Sequence, residues 1–457
     1  MRFTFLLSLA AVAGLASAQF QPIGAPFKSP VTVASGLSAR VIYTNLTALG
    51  AIAFDAEQNL LAVELGVGVS AFTPVTSPSP GWVRNIVIKN PDASYGIEVD
   101  GPRLYVSTGK DVLLYAYDAS TTSIVSGFTP YPVVDGIPSD GEFSSHPITL
   151  ERNATSGKAI AILIGSGPLT NIDPTARDPA SGRSQIRRFV FPTIQPAIFP
   201  PPPLHWADGE VVGYGLRNPS GFAFAPTPSI SSLPVKPTPT LYVVDNGASI
   251  DNVTSIGVTP KFANDNPADE LDVISYATDR GKFYGFPDCT TLWNPDADPV
   301  GVPQYAGLAP GDQISLNLGV GRDDKWCRDG ANNKAAVLPL PAHSAVTDIK
   351  FYAAPVATSV TSLPQEYAGD AFVSFFGSFN RDPPTGYGVV RIYLPIGSAP
   401  TKEGYSFIIQ AKDLASCPGT CITPAGLAFS GGRLFFSSVL TGELVVVERS
   451  SFTTNTA

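Results

Sequence analysis

Of 457 residues, three are histidine, four are cysteine, one is methionine, and charged residues make up 15%. Each shortage excludes something. The sole methionine is Met1 and no C-x-x-C-H run occurs, so beyond Met1 there is neither the thioether ligand nor the attachment site of an internal cytochrome. The absence of G-x-S-x-G and H-E-x-x-H removes the usual serine-hydrolase and zinc-protease signals. There are 29 Lys and Arg against 38 Asp and Glu, a net charge of −9, with no basic run. That argues against nucleic acid or an anionic membrane as partner. Helical periodicity is missing from any 12-residue window, and no segment beyond the N-terminus is apolar for long enough to span a bilayer.

What is present is apolar: 44% hydrophobic residues with 42 Gly and 44 Pro. Such a chain buries a sizeable core, so the Gly and Pro serve turns rather than disorder or a collagen-like repeat. Arg2, the apolar run Phe3 to Leu15 and the small residues Ala16, Ser17 and Ala18 read as a secretory signal peptide over 1–18, with the mature chain from Gln19. The expected location is extracellular. Asn45, Asn153 and Asn252 are N-glycosylation acceptors. Four cysteines in an oxidising compartment suggest two disulfides, and spacing favours Cys289 with Cys327 and Cys417 with Cys421; zinc is disfavoured because no histidine lies near the Cys-x3-Cys.

Short runs rich in Val, Ile, Phe and Tyr, bounded by turn residues, indicate an all-β chain. A strand-turn-strand unit recurs from Ala51, Gly96, Ile148, Gly221, Asp348 and Gly426. Six degenerate copies in one chain are the signature of a six-bladed β-propeller with long inter-blade loops, a single domain over 19–457. Strands at Val112–Tyr117, Gln185–Phe191, Val389–Leu394 and Leu444–Glu448 complete blades. Loops gather at one mouth of such a channel, where ligands bind.

Several motifs fail on context. Gly66-x-Gly68-x-x-Ala71 matches the dinucleotide fingerprint, but Pro74, Pro78 and Pro80 forbid the helix it needs. Asp296-x-Asp298-x-x-Gly301 opens like an EF-hand, but its acidic twelfth position is Gly307, so it reads as a structural loop. Phe199–Pro203 reads as a stiff spacer.

Imidazole chemistry has three candidates. His146 and His343 each stand just ahead of a repeat's first strand, at the expected mouth, whereas His205 lies beside Trp206 in a Pro-rich insertion and reads as surface packing. Arg217-Asn218, ahead of the fourth unit, aims a guanidinium and an amide at the same place, suited to a carboxylate or a developing oxyanion. A salt bridge at a blade corner is the other reading.

In order along the chain come Arg217-Asn218-Pro219-x-Gly221-x-Ala223-Phe224, Asp269-Glu270-Leu271-Asp272-Val273-Ile274, Tyr284-Gly285-Phe286-Pro287, Pro341-Ala342-His343-Ser344, and Gly369-Asp370-Ala371-Phe372 with Gly377-Ser378-Phe379-Asn380-Arg381. This series resembles the soluble pyrroloquinoline-quinone (PQQ)-dependent sugar dehydrogenases, including bacterial glucose and sorbosone dehydrogenases and secreted fungal pyranose dehydrogenases. The resemblance covers nearly all of the mature chain.

It implies a six-bladed propeller holding PQQ and Ca²⁺ at its mouth. By the same resemblance, His146 takes the proton from the sugar hydroxyl while hydride moves to the quinone, and Arg217 stabilises the charge developing on the quinone oxygen. Asn218 is a neighbouring cofactor contact, and Arg381 with Asn380 faces a quinone carboxylate. Backbone carbonyls at Asn266 and Pro267 hold the calcium, with Asp269 and Glu270 as further ligands or supports. Leu216, where a His is common, and Phe379, where a Trp is common, depart from the bacterial pattern and bear on pocket shape.

PQQ carries three carboxylates, so an acidic protein needs cations there, and Lys325 and Arg322 join Arg217 and Arg381. His343 is a second pocket candidate. Trp326, Tyr284 and Trp293 are candidates to stack on the cofactor or sugar. The expected function is a secreted, monomeric, PQQ- and calcium-dependent sugar dehydrogenase. It oxidises the hemiacetal carbon and passes electrons to a separate haem or copper protein or a quinone. A calcium-dependent propeller lactonase or hydrolase, and a non-catalytic propeller binding carbohydrate or protein, are the alternatives.

Overall fold

The computed structural model describes residues 19–192, 200–226, 239–356, 359–396 and 404–450. The expected signal peptide and Phe199 therefore lie outside the described residues. All six repeated units become the two innermost strands of a blade. In blade order these pairs are Leu49–Phe54 with Leu60–Glu64, Ala93–Asp100 with Arg103–Thr108, Ile148–Arg152 with Ala159–Ser166, Pro219–Phe224 with Thr240–Asp245, Val346–Phe351 with Ala371–Phe375, and Pro424–Ser430 with Arg433–Ser438. The six innermost strands contact one another in a closed ring. This is the six-bladed propeller expected from the repeats.

Blade strands read as almost continuous apolar runs because neighbouring blades bury both faces. All five residues of Leu60–Glu64 are buried. The core is accordingly divided into layers between blades. Val63, Val69 and Val106 pack between blades 1 and 2, Leu163, Phe222 and Val243 between blades 3 and 4, and Tyr352, Phe372 and Phe436 between blades 5 and 6.

Ring closure joins the two ends of the chain. Leu37–Tyr43 pairs antiparallel with Glu443–Arg449 and becomes the outer strand of blade 6. Residues ahead of it add edge strands, Gln19–Pro22 to blade 1 and Val31–Val33 to blade 5.

Two insertions cross blade boundaries, which the repeat pattern does not show. Within blade 3, the Pro-rich connection places Leu204–His205 parallel on the outer edge of blade 2, and the exposed His205 accepts from Ala207 N at 3.2 Å. Within blade 4, the connection after Asp269–Ser275 lays Lys282–Phe283 on the edge of blade 3. It then forms the hairpin Cys289–Thr291 with Gln313–Ser315 and the short helix Asp324–Arg328 before returning at Leu338–Leu340. Disulfides join Cys289 to Cys327 and Cys417 to Cys421, the favoured pairings.

The rejected fingerprint is a strand turn: a Cβ on Gly68, at φ +135°, would stand 2.0 Å from Ile88 O. Asp298 accepts from Thr259 Oγ1 and Gly301 N, and Asp296 from Gly307 N, a self-bonded loop.

Candidate functional site

The mouth is the end of the channel where the innermost strands begin. In five of the six blades the pairing register shifts near that start, as between Pro219 and Gly221 or Val346 and Asp348. Bulges of this kind re-aim side chains beside functional sites. His146, Arg217-Asn218 and His343 precede the innermost strands of blades 3, 4 and 5. Both histidines adopt positive φ, 44° and 62°.

Arg217 is buried, and its guanidinium lies 4.8 Å over the Phe143 ring. Nε donates to the Asn171 carbonyl at 3.1 Å, Nη2 to Asn171 Oδ1 at 3.0 Å and Nη1 to the Asn246 carbonyl at 3.3 Å. All three acceptors are neutral, so the salt-bridge reading fails. Burial works against the Arg217 charge, and the field of Asp245, Asp269 and Glu142 supports it.

The turn carrying this pair is held by Asp245, which closes the second strand of blade 4. Its oxygens accept from Arg217 N at 2.7 Å and Asn218 N at 2.6 Å. Burial nevertheless pushes the Asp245 carboxyl up to about 7, against those bonds and the Arg217 charge. Asn218 Nδ2 donates to Asn246 Oδ1 at 2.8 Å.

His146 is 1% exposed, with Nδ1 3.1 Å from Gly165 O and Nε2 3.0 Å from Gly109 O. A neutral imidazole has one N–H and donates to only one of these carbonyls. Burial pulls its pKa below the usual value, opposed by the two carbonyls. Gly167, two residues after the carbonyl that His146 meets, packs against the Arg217 platform: a Cβ there would lie 2.7 Å from Phe143 Cβ and 2.9 Å from Asn218 Oδ1. His343 directs Nε2 to Ala263 O at 2.9 Å, across to the blade 4 loop.

The other candidates are less uniform. Asn380 Nδ2 donates to Ser249 Oγ at 3.3 Å, and Ser249 is in turn bonded to Asn171, so this segment joins the Arg217 network. Arg381 pairs with Asp265. Arg322 pairs with the buried Asp288 at 2.7 Å beneath Trp326, and Arg177 holds the same carboxylate. Lys325 is exposed on the short helix. Tyr284 is core, its hydroxyl donating to Val273 O. Leu216 is buried in the layer between blades 3 and 4, while Phe379 is 81% exposed.

Among the metal candidates, the Asn266 side chain is consumed: Oδ1 accepts from Trp293 N and Asn294 N, and Nδ2 donates to Phe262 O and Asn294 O. Its carbonyl and that of Pro267 receive no hydrogen bond among the described residues. Gly247 packs on this segment, since a Cβ there would stand 2.3 Å from Ala268 O. Asp269 accepts from Gly247 N and Ser344 Oγ, toward blade 5. Glu270, next on the strand, faces the other way, opposite Asp245.

Sequence reasoning missed Asn171, Phe143 and Asp245. Asp245-Asn246-Gly247 at a strand end was a readable turn signal. Asn171 lies in an insertion without pattern, and only its position in space marks it.

The TrAA12-like family model matches residues 31–450. A Hypocrea jecorina PQQ-dependent sugar dehydrogenase is 30% identical, over 93% of this chain and 90% of its own length. A Coprinopsis cinerea PQQ-dependent pyranose dehydrogenase is 29% identical over 92% of this chain, which spans only 55% of that relative. Among solved structures, a calcium structure of a Trichoderma reesei protein of carbohydrate-active enzyme family AA12 superposes with TM-score 0.79 at 29% identity, covering 93% and 99% of the two chains. The holo PQQ domain of the Coprinopsis cinerea pyranose dehydrogenase gives 0.75 at 25% identity, over 93% and 99%. The mouth residues and the six-bladed ring thus belong to a chain that is a member of the TrAA12-like family.

Proposed function

We propose that this chain is a secreted PQQ- and calcium-dependent dehydrogenase that oxidises a sugar at its hemiacetal carbon. The observation that carries the reading is the Arg217 guanidinium, buried on an aromatic face and bonded only to neutral oxygens. That guanidinium is not committed to a carboxylate at its side chain, which leaves its N–H groups and charge for a flat, anionic guest. PQQ, with three carboxylates, fits that demand. The free carbonyls of Asn266 and Pro267 are the oxygen donors that Ca²⁺ accepts.

When bound, PQQ supplies a two-electron hydride acceptor and Ca²⁺ a Lewis acid at its quinone oxygen. His146 receives the sugar's hydroxyl proton at Nε2, which requires that atom to leave Gly109 O while Nδ1 stays on Gly165 O as donor. Arg217 places its N–H groups where negative charge develops, with Asn171 and Asn246 fixing the guanidinium plane. Asn218 adds an amide at the same rim.

The electron acceptor in this reading lies outside the propeller. Two disulfides and exposed acceptors at Asn45, Asn153 and Asn252 support secretion.

The test is reconstitution: purified protein with PQQ and Ca²⁺ is given sugars and an artificial acceptor. Sugar-dependent acceptor reduction is expected, and none with any aldose or ketose overturns the proposal. His146→Ala is expected to keep PQQ binding and lose kcat by roughly 10²- to 10⁴-fold, the range for a positioned general base. Unchanged turnover would move the base to His343.

A further inference from the structure

At the seam that closes the ring, blades 6 and 1 enclose a cavity of about 350 Å³, within the range of small-molecule sites. It lies at the end of the propeller opposite the mouth, because Phe54 and Ser430, the last residues of the innermost strands of blades 1 and 6, both line it. Arg40, Ile42, Arg433 and Phe435 of blade 6 face Trp82 of blade 1 across it. The segment that follows Gln19–Pro22 forms its outer side. Ile23 N donates to Pro80 O and Gly24 N to Val41 O, so this segment passes from one blade to the other, with Ile23 lining the cavity.

The walls are mainly apolar. Phe435 packs edge-on against both Phe54 and Trp82, with ring centroids 4.9 and 6.2 Å apart. In this setting two donors lack acceptors. The Arg433 guanidinium lies 5.3 Å over the Phe435 ring, and among the described residues it has no hydrogen bond. Glu448, 3.9 Å from it, accepts from Arg40 at its other oxygen and is itself buried, with Oε2 unpartnered. Burial works against the Arg433 charge, Glu448 supports it, and Arg40 opposes it. Trp82 is 5% exposed and its Nε1 has no hydrogen-bond partner. Two guanidinium groups against one carboxylate leave this end of the cleft net positive.

These features select a ligand by exclusion. A neutral sugar presents hydroxyls around its whole edge, and apolar walls leave most of them without partners, at a cost for each. A hydrated inorganic anion gains nothing from the aromatic lining. A carboxylate on an apolar body suits both parts of the cavity, because its two oxygens match the guanidinium fork and its body displaces water from the rings.

We propose that this cavity binds a small organic monocarboxylate with a ring-sized apolar body, its head on Arg433 and its body against Trp82 and Phe435. The site is separate from the mouth, on the opposite face, and its occupation requires neither PQQ nor a sugar.

The test uses the full chain, free of PQQ, titrated with cinnamate and, separately, with cinnamyl alcohol, which has the same ring and no charge. Calorimetry is expected to show cinnamate binding in the millimolar range or tighter, and the alcohol at least about tenfold weaker. Arg433→Gln removes the charge-assisted bonds and is expected to weaken cinnamate by at least about tenfold, with little change for the alcohol. No cinnamate binding up to about 10 mM, equal binding of the alcohol, or an unaltered affinity in Arg433→Gln overturns the proposal. Should that variant not fold, wild-type crystals soaked in para-iodobenzoate decide: an anomalous iodine peak inside the cavity supports the site, and none there rejects it.

Discussion

His146 shows what a single environment does to an ordinary side chain. Buried between two carbonyls, it feels desolvation as the largest influence, and its pKa falls below 6.5. The neutral form, the one able to accept a proton, therefore persists to lower pH than for a free imidazole. A depressed folded-state pKa also means that the associated stability is present above the unfolded value and is lost as pH falls through the folded one. The acidic limb of kcat/KM is expected below pH 6.5, and a limb at or above that value would remove His146 from the base role. Arg217 teaches the complementary lesson. Its type and place were legible in the sequence, but its freedom from carboxylates was not, because Asp245 spends both oxygens on backbone N–H groups and the guanidinium turns to Asn171. The opposite holds for Arg322 and Arg381, expected as pocket cations from a loop position and from the family resemblance respectively, which are committed to Asp288 and Asp265.

At the scale of the strand, the six repeated units were readable because each innermost pair repeats one pattern of burial. Glycine has a specific part in it. A Cβ on Gly96 would stand 2.7 Å from His146 O, on Gly221 2.6 Å from Asp348 Cα, and on Gly426 2.6 Å from Ala51 Cα. Blades 2, 4 and 6 thus each approach the next blade's innermost strand through a residue with no side chain. Overpacking a rigid interior costs about 1–3 kcal/mol. Gly221→Ala, with backbone on both sides of the clash, is expected to lower Tm by several degrees in a thermal melt; an unchanged Tm would show that the ring widens freely. The insertions were not readable in this way. Leu204–His205 and Lys282–Phe283 each join the edge of a preceding blade, and no local periodicity records which edge a returning loop finds.

For the whole molecule, the strand Leu37–Tyr43 is the closure. Leu37, Val41, Ile42 and Tyr43 are all buried, and at about 1.5–3 kcal/mol each they contribute roughly 6–12 kcal/mol, comparable to a domain's entire net stability. Polar ties reinforce the seam, with Lys28 N donating to Glu443 and Arg40 paired with Glu448. A chain beginning at Thr44 leaves Glu443–Arg449 as a bare edge and is expected to lose its cooperative melt. A cooperative transition within a few degrees of the full chain would show that the ring holds without closure. Shortages of Met, His and charge and the six apolar strand pairs were determined by the sequence alone, since composition and period act locally; the two cysteine pairings were favoured by spacing and fixed by the fold. The tertiary structure decided which strand closes the ring, that Arg217 is left to neutral partners, and that Asp245, Glu270 and Asp272 meet between blades 3 and 4. Those outcomes depend on groups far apart in the chain competing for the same partners, and that competition takes place only once the blades are packed.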